Sequence, residues 1–298
     1  MGFSGLLEKD TQVSKPSPDV TRKLQSLLPE HPFHISGAEA ERIASGLGIS
    51  KYQLMVELIC VAKEYAVVPV SDYRVGSCAM GESGDLYLGV NVEFNGDNLS
   101  QTIHSEQSSF CNAINHGEKA VSVLAVSSEP CGGCRQFLNE MACNKDLAIL
   151  IPERHPISLE ELLPRSFGPW DLGVESGCPI AIEAPITIKN NDDELVKIAL
   201  RAANKTYAPY THCNAAVALR FKDGGAVSGF YLENVAFNPS LSPLQAALIM
   251  AVGKGYKWAD IVEAVLVERN GCTITHSRST SSLIKAVAPQ AKFNVVTD

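Results

Sequence analysis

No run of 18 apolar residues occurs in this 298-residue chain, so nothing in it reads as a membrane-spanning helix. The opening residues, MGFSGLLEKDTQ, lack both a basic segment and an apolar core, so no secretory signal is expected. Positive charge is also scarce. Lys and Arg number 25 against 33 Asp and Glu, for a formal net charge of −8, and no basic stripe stands out to meet a nucleic acid. Aromatic residues make up only 7%, which is poor in stacking platforms for exposed bases. The nine cysteines are odd in number and mostly scattered, which suits free thiols in a reducing cytosol rather than a disulfide framework. Against these shortages, 45% of residues are hydrophobic and 19% charged, the mixture of an ordinary globular protein. The length exceeds one typical domain of ~150 residues, so two units of related size are expected.

Hydrophobic periodicity predicts helices over Asp19 to Leu28, over Ala38 to Leu47 with Ser36 as cap and Gly48 as stop, and over Tyr52 to Tyr65. The period then changes. Val75 to Met80 and Leu86 to Val92 read as two strands joined by a turn over Gly81 to Asp85. A helix from His104 to about His116 follows, then a strand (Val121 to Val126), a helix (about Cys131 to Cys143) and a strand (Leu147 to Ile151). A hairpin followed by βαβαβ implies an α/β fold with a mixed sheet and right-handed crossovers.

The second half echoes the first. Tyr207-Ala208 resembles Tyr65-Ala66, Asn234 to Phe237 resembles Asn91 to Phe94, and Ala264 to Val267 resembles Val123 to Val126. Gln245 and its apolar helix stand 138 positions after Gln107 and its helix, and Asp192-Asp193-Glu194 reads as a helix start near Leu195. Duplication of one ~140-residue unit is the economical account. The expected organisation is an arm with helices (1–50), a first α/β domain (51–165), a structured linker (166–190) and a second, degenerate copy (191–298).

The residues that carry chemistry are His104-Ser105-Glu106 and Pro130-Cys131-Gly132-Gly133-Cys134. One imidazole and a Cys-x-x-Cys at a helix start supply three ligands to Zn²⁺ and leave a fourth, tetrahedral position open. A structural zinc would fill all four, whereas an open position admits a water that loses its proton near neutral pH. The helix N-terminus favours anionic sulfur, and Arg135 is placed to hydrogen-bond a thiolate. His104 and Glu106 are two apart, ~200° around a mid-helix, so they are expected at the helix entry, imidazole on the metal and carboxylate beside the water. The same residues admit a structural zinc knot or an incidental Cys-x-x-Cys.

The pattern H-x-E…P-C-x-x-C is the signature of zinc deaminases. With DYRVG (72–76), GVNVEF (89–94), HSEQS (104–108), EPCGGCRQF (129–137) and FGP (167–169), the chain resembles the two-domain, homodimeric cytidine deaminases over roughly residues 20–298. That resemblance implies a three-layer α/β/α fold with a mixed sheet, duplicated as a catalytic domain and a degenerate copy. It implies one Zn²⁺ per subunit, held in the first half by His104, Cys131 and Cys134, with Glu106 shuttling protons as cytidine and deoxycytidine become uridine and deoxyuridine. It implies that the Glu129 carbonyl and the Ser105 amide read the pyrimidine edge, that Asn91 and Glu93 bind the ribose hydroxyls, and that Tyr73 and Phe167 pack on base or sugar. Tyr73 departs from the Phe of many relatives. A carboxylate at Glu93 would repel a 3′-phosphate, which favours a free nucleoside.

In the second half Ser242, Pro243 and Leu244 stand where His, Ser and Glu would fall, and only Cys272 lines up with a ligand cysteine, with Thr275 at the other, so no metal is expected there. Cys60, Cys78, Cys111, Cys143, Cys178 and Cys213 read as buried small hydrophobes, and His31, His34, His116, His155, His212 and His276 as surface or satisfied histidines. Two other classes stay open: a polynucleotide cytosine deaminase, and a non-catalytic zinc-stabilised module.

Overall fold

The protein's structure, a computed structural model, describes residues 13–140, 147–174, 177, 185–189 and 191–298. The chain divides into two compact units, Met1–Val92 with Ile103–Pro179, and Glu93–Thr102 with Ile180–Asp298. No helix among the described residues is long and apolar enough to cross a membrane.

The first unit opens with three helices close to those expected. In α1 (Pro18–Leu27) a proline occupies the first turn, where its missing N–H costs nothing. The Ser17 side chain makes no cap bond; the cap comes instead from Glu57 on α3 (Lys51–Lys63). The buried Glu57 carboxylate accepts from Ser17 N at 3.0 and 3.1 Å, from Thr21 Oγ1 at 3.2 Å and from Gln53 Nε2 at 3.0 Å. Between them, α2 (Gly37–Leu47) starts at Ser36, whose Oγ accepts from Glu39 N, and stops at Gly48 with φ 67°.

The sheet that follows runs β1 (His34–Ile35), β3 (Leu86–Val90), β2 (Gly76–Gly81), β4 (Val121–Val126), β5 (Ala148–Leu150), β6 (Ile157–Ser158) in spatial order. β2 is antiparallel to both β3 and β4, while β4 is parallel to β5, so the sheet is mixed as expected. The edge strands β1 and β6 are two residues long and carry no periodicity that the sequence could reveal. Of the helix expected to reach Cys143, α5 (Gly132–Glu140) is described and the remainder lies outside the described residues, as do Cys143 and Cys178.

Two glycines set the layering. Gly76 stands opposite Val90 and Ser77 opposite Gly89, so the two pairs point to opposite faces. A Cβ on Gly76 would lie 2.5 Å from Ile59 O of α3, and one on Gly89 would lie 2.4 Å from Ser105 O and 2.3 Å from Ser109 N of α4 (Ser105–Asn115). Helices α3 and α4 therefore cover opposite faces, giving three layers, with α5 packed beside α4.

The second unit repeats this plan with α7 (Glu194–Ala203), β7 (Ala215–Phe221), β8 (Ala226–Phe230), α8 (Pro243–Gly253), β9 (Ile261–Glu268), α9 (Ser277–Val287) and β10 (Lys292–Thr297). A single-turn helix, α6 (Leu159–Leu162), closes the first unit's sheet and has no counterpart among these. Its sheet order is β10-β9-β7-β8, with β10 parallel to β9. Asp193 caps α7, its Oδ1 accepting from Leu195 N at 2.7 Å.

Backbone pairing fixes the register of the repeat. The bridges Val67–Val92–Ile103 recur as Tyr207–Leu232–Leu241, the irregularity at Met80/Gly81 recurs at Arg220/Phe221, and left-handed Asp72 recurs as left-handed His212. This corrects the echoes read from sequence. Leu232, not Val235, is the counterpart of Val92; Tyr207 is the counterpart of Val67 rather than Tyr65; and Leu266 is the counterpart of Val126. Short runs of similar residues slide easily, whereas ladder hydrogen bonds do not.

Gly89→Ala is expected to cost about 1–3 kcal/mol or more, because its methyl meets backbone rather than a movable side chain. Gly46→Ala, with open space at its Cβ inside α2, is expected to gain up to about 1 kcal/mol. Urea denaturation distinguishes them, and a wild-type Gly89→Ala would contradict the close approach. In the second unit His276 is buried against Tyr231, with ring centroids 4.3 Å apart and Nε2 without a partner among the described residues. Burial pushes its pKa down to about 4, from an ordinary imidazole value of 6.5. The unfolded chain thus binds the proton first as pH falls, so stability is full above about 6.5 and declines toward about 4. Denaturation midpoints at pH 7 and pH 5 are expected to converge in His276→Gln; an unchanged gap would show that other groups set it.

Candidate active site

Local structure at two helix starts assembles the expected metal cluster. His104 directly precedes α4 in extended conformation, φ −87° and ψ 155°. Its amide donates to Gln107 Oε1 at 3.0 Å, so the helix's own side chain ties down the entry residue. The Ser105 carbonyl is held from the sheet by Ser77 Oγ at 2.7 Å. At the other helix start, the Arg135 amide donates to Cys131 O at 3.0 Å, and the Cys134 amide to Cys131 Sγ at 3.4 Å. Cys131 therefore caps α5 with its sulfur, an arrangement that favours thiolate.

These starts bring His104 Nδ1 to 3.5 Å from Cys131 Sγ and 3.3 Å from Cys134 Sγ. The three ligand atoms lie within 4.8 Å of one another, and this is the one such His, Cys and carboxylate cluster among the described residues. Nitrogen and sulfur bound at ~2.0–2.3 Å to one tetrahedral zinc stand about 3.5 Å apart, so the cluster fits that ion. The Cys131 thiol is pushed down to about 4, chiefly by a hydrogen bond from Cys134 and further by the Cys134 and Gly133 amides and His104. Cys134 is pushed up by the same bond, by burial and by Glu106. One proton shared by two sulfurs is the form that a divalent cation displaces.

Glu106, in the first turn of α4, is buried. Burial raises its carboxyl pKa, opposed by its own amide, by His104, by a hydrogen bond from Cys134 and by one from Ser105. The Ser105 hydroxyl donates to Oε2 at 3.1 Å. The carboxylate thus stands within hydrogen-bond reach of a ligand sulfur, at the cluster and not across the helix from it.

Other sequence-derived residues take mixed places. Asn91 is buried and braces the chain ahead of β2: Oδ1 accepts from Val75 N and Nδ2 donates to Tyr73 O, both at 2.8 Å. Glu93 is buried as well. Phe167 is half exposed, and its carbonyl accepts from Gln136 Nε2 at 2.9 Å and Asn139 Nδ2 at 3.0 Å, which pins its loop to α5. The Glu129 side chain is exposed and pairs with Arg154 at 4.0 Å. Arg135 corrects its expectation. Its guanidinium donates to the carbonyls of Pro130 at 2.8 Å and Leu162 at 2.9 Å rather than to a sulfur, so it secures the loop that carries Cys131. Ser77 and Gln107 were not singled out from sequence; the signals were a serine opposite a glycine on the α4 face and a Gln three residues into a helix.

The second unit lacks this constellation. Ser242 precedes α8 with its amide donating to Gln245 Oε1 at 2.9 Å, the same device as at His104, and Leu244 replaces Glu106. The alignment of Cys272 with a ligand cysteine is overturned. Thr280 N bonds His276 O as Arg135 N bonds Cys131 O, so His276 occupies the helix-start position and Cys272 and Thr275 lie ahead of it. Among the remaining cysteines Cys78, Cys111 and Cys213 are buried and Cys60 is partly so.

Replacing either Cys134 or His104 by Ala is expected to lower zinc content from about one ion per chain to near zero, since two ligands hold the ion weakly. Cys213→Ala is expected to leave it unchanged. Elemental analysis of purified protein decides, and full zinc in Cys134→Ala would contradict the ligand set.

Comparison with known proteins agrees with this geometry. The family described as cytidine and deoxycytidylate deaminase zinc-binding region matches twice, over residues 49–149 and 159–281. A cytidine deaminase of Photobacterium profundum is 44% identical over 244 residues, 82% of each chain, and one of Vibrio vulnificus is 40% identical over 255 residues, 86% of each. A solved cytidine deaminase from Mycobacterium tuberculosis is 30% identical, covering 40% of this chain and 98% of its own, with a TM-score of 0.37. The chain belongs to the cytidine deaminase family.

Proposed function

We propose that the chain hydrolyses cytidine and 2′-deoxycytidine at C4, adding water and releasing ammonia to give uridine and 2′-deoxyuridine. The observation that carries the reading is Glu106: a buried carboxylate, hydrogen-bonded at the edge of a three-ligand zinc site that leaves one position open. Zinc bound by His104, Cys131 and Cys134 supplies Lewis acidity that brings water ionisation near neutral pH. Glu106 then accepts the proton of the attacking water and delivers it to N3 of the ring. The proton of the new C4 hydroxyl then passes through the same carboxylate to the C4 amine; the C4–N bond breaks, ammonia leaves and the C4 oxygen becomes the carbonyl. The raised affinity of a buried carboxyl for its proton suits both the uptake and the return.

The substrate is a free nucleoside in this reading. Asn91 and Glu93 are assigned to the ribose hydroxyls, and the Glu93 charge opposes a 3′-phosphate. The Ser105 amide and the Glu129 carbonyl read the base edge, while Tyr73 and Phe167 bound the base or sugar. One zinc per chain resides in the first unit, because Ser242, Leu244 and His276 cannot reproduce the ligand set in the second. The half-exposed apolar run of Phe167, Trp170 and Leu172 supports pairing of two such chains. The net charge of −8 and the free thiols agree with a cytosolic nucleoside enzyme and not with a nucleic-acid binder.

Glu106→Ala is expected to retain zinc and lose at least ~10²–10⁴-fold in kcat on cytidine. Ammonia release and the ultraviolet change are followed together on cytidine, deoxycytidine, CMP and a short C-containing oligonucleotide. Turnover of the two nucleosides alone supports the reading. Turnover of the oligonucleotide would favour a polynucleotide deaminase, and zinc without any turnover a structural module.

A further inference from the structure

Tyr73 is 61% exposed, yet it is held at three points. Its amide donates to Ser71 Oγ at 3.0 Å, its carbonyl accepts from Asn91 Nδ2 at 2.8 Å, and its phenolic oxygen lies 2.9 Å from Ser128 Oγ. The preceding residue, Asp72, takes the left-handed conformation at φ 54°, which turns the chain sharply into this segment. An exposed side chain gains little from burial and loses rotamer freedom when it is fixed. The residue stays largely exposed while its hydroxyl is held. That is preorganisation of a surface for a partner.

The far end of the bond is as informative. Ser128 stands three residues before Cys131, on the segment that leaves β4, where Ser127 Oγ accepts from Gly76 N at 3.2 Å. The bond therefore joins the aromatic wall to the loop that presents the metal ligands. Framework needs do not demand it, as the second unit shows. By the register of the repeat, Cys213 follows left-handed His212 as Tyr73 follows Asp72, and Glu268 stands where Ser128 does. Cys213 is buried with its thiol on Ile274 O at 3.2 Å, and Glu268 accepts from Thr275 Oγ1 at 2.7 Å. The copy that lacks the metal ligands forms the same strands and turns with both latch partners replaced.

We propose that Ser128 is a positioning residue for the nucleobase: through its hydrogen bond to the Tyr73 hydroxyl it locks the aromatic wall against the metal-ligand loop. The inference rests on Tyr73 forming part of the pocket wall. Ser128 touches no substrate. It lowers the cost of binding the pyrimidine by fixing the ring before the ligand arrives, so it acts on KM and leaves the proton chemistry of Glu106 alone.

Ser128→Ala and Tyr73→Phe are each expected to raise KM about three- to tenfold, the range of one neutral hydrogen bond, with kcat within about twofold and zinc content unchanged. The rise is expected to be equal for cytidine and deoxycytidine, which share the base. The double variant is expected to be no worse than either single one, because each breaks the same bond. Ser128→Thr, which keeps the hydroxyl, is expected to restore most of the loss. Tyr73→Ala serves as the control for the wall. If it leaves KM unchanged, the wall reading falls and takes the latch with it. If Tyr73→Ala raises KM while Tyr73→Phe and Ser128→Ala do not, the wall stands and the latch alone is overturned. Additive losses, a matching fall in kcat, or loss of zinc in Ser128→Ala would also overturn it.

Discussion

The approach of α4 to the β2–β3 hairpin at Gly89, with the Ser77 hydroxyl on the Ser105 carbonyl at 2.7 Å, sets the position of both His104 and Glu106. Gly89 itself puts no side chain between strand and helix, so the depth of the helix start is set chiefly by backbone against backbone. Backbone contacts do not yield as side chains do. The imidazole and the carboxylate leave one helix entry two positions apart, at His104 and Glu106, one toward the sulfurs and one beside them. A displacement of that entry would move His104 and Glu106 together. The glycine is therefore as much a part of the site as the residues that do chemistry.

Charge at the cluster follows from the same placement. One helix start contributes a buried carboxylate, and the other contributes two hydrogen-bonded sulfurs whose mutual bond pushes Cys131 down and Cys134 up. Three potential anions crowd one imidazole, and burial resists charging Glu106 and Cys134. A divalent cation held by His104, Cys131 and Cys134 would relieve this by taking both sulfurs as thiolates. The cluster's preference for a metal is thus an electrostatic consequence of packing as well as of ligand identity.

Much of this was legible in the sequence because it is local. His104, Glu106, Cys131 and Cys134 sit at helix starts that capping residues and spacing define, and α2, α4 and β4 fall within a residue or so of their expected bounds. What sequence did not disclose is set by residues distant along the chain. Glu57 caps a helix some 40 positions earlier, Ser77 reaches a carbonyl 28 positions away, and Arg135 reaches across 27 to Leu162 O instead of bonding a sulfur close by. Two-residue edge strands have no period to detect. The register of the repeat also escaped, because runs such as Asn-Val-Ala-Phe match several offsets while the bridges at Leu232 match one.

The second unit separates what the fold requires from what the chemistry requires. It keeps the bridges, the strand irregularity, the left-handed turn and the Gln-braced helix entry, so these belong to the framework. It also keeps a glutamate, since Glu233 is the counterpart of Glu93. There the buried carboxylate accepts from the Tyr210 and Thr211 amides at 2.8 and 3.1 Å and holds a turn. A carboxylate at this position therefore has a framework use independent of any substrate. The first unit carries an imidazole, paired cysteines and an exposed, anchored tyrosine, and the counterparts of these in the second are Ser242, His276 and buried Cys213. The two units thus differ by a small set of substitutions at helix entries and loop ends, laid over a backbone pattern that both share.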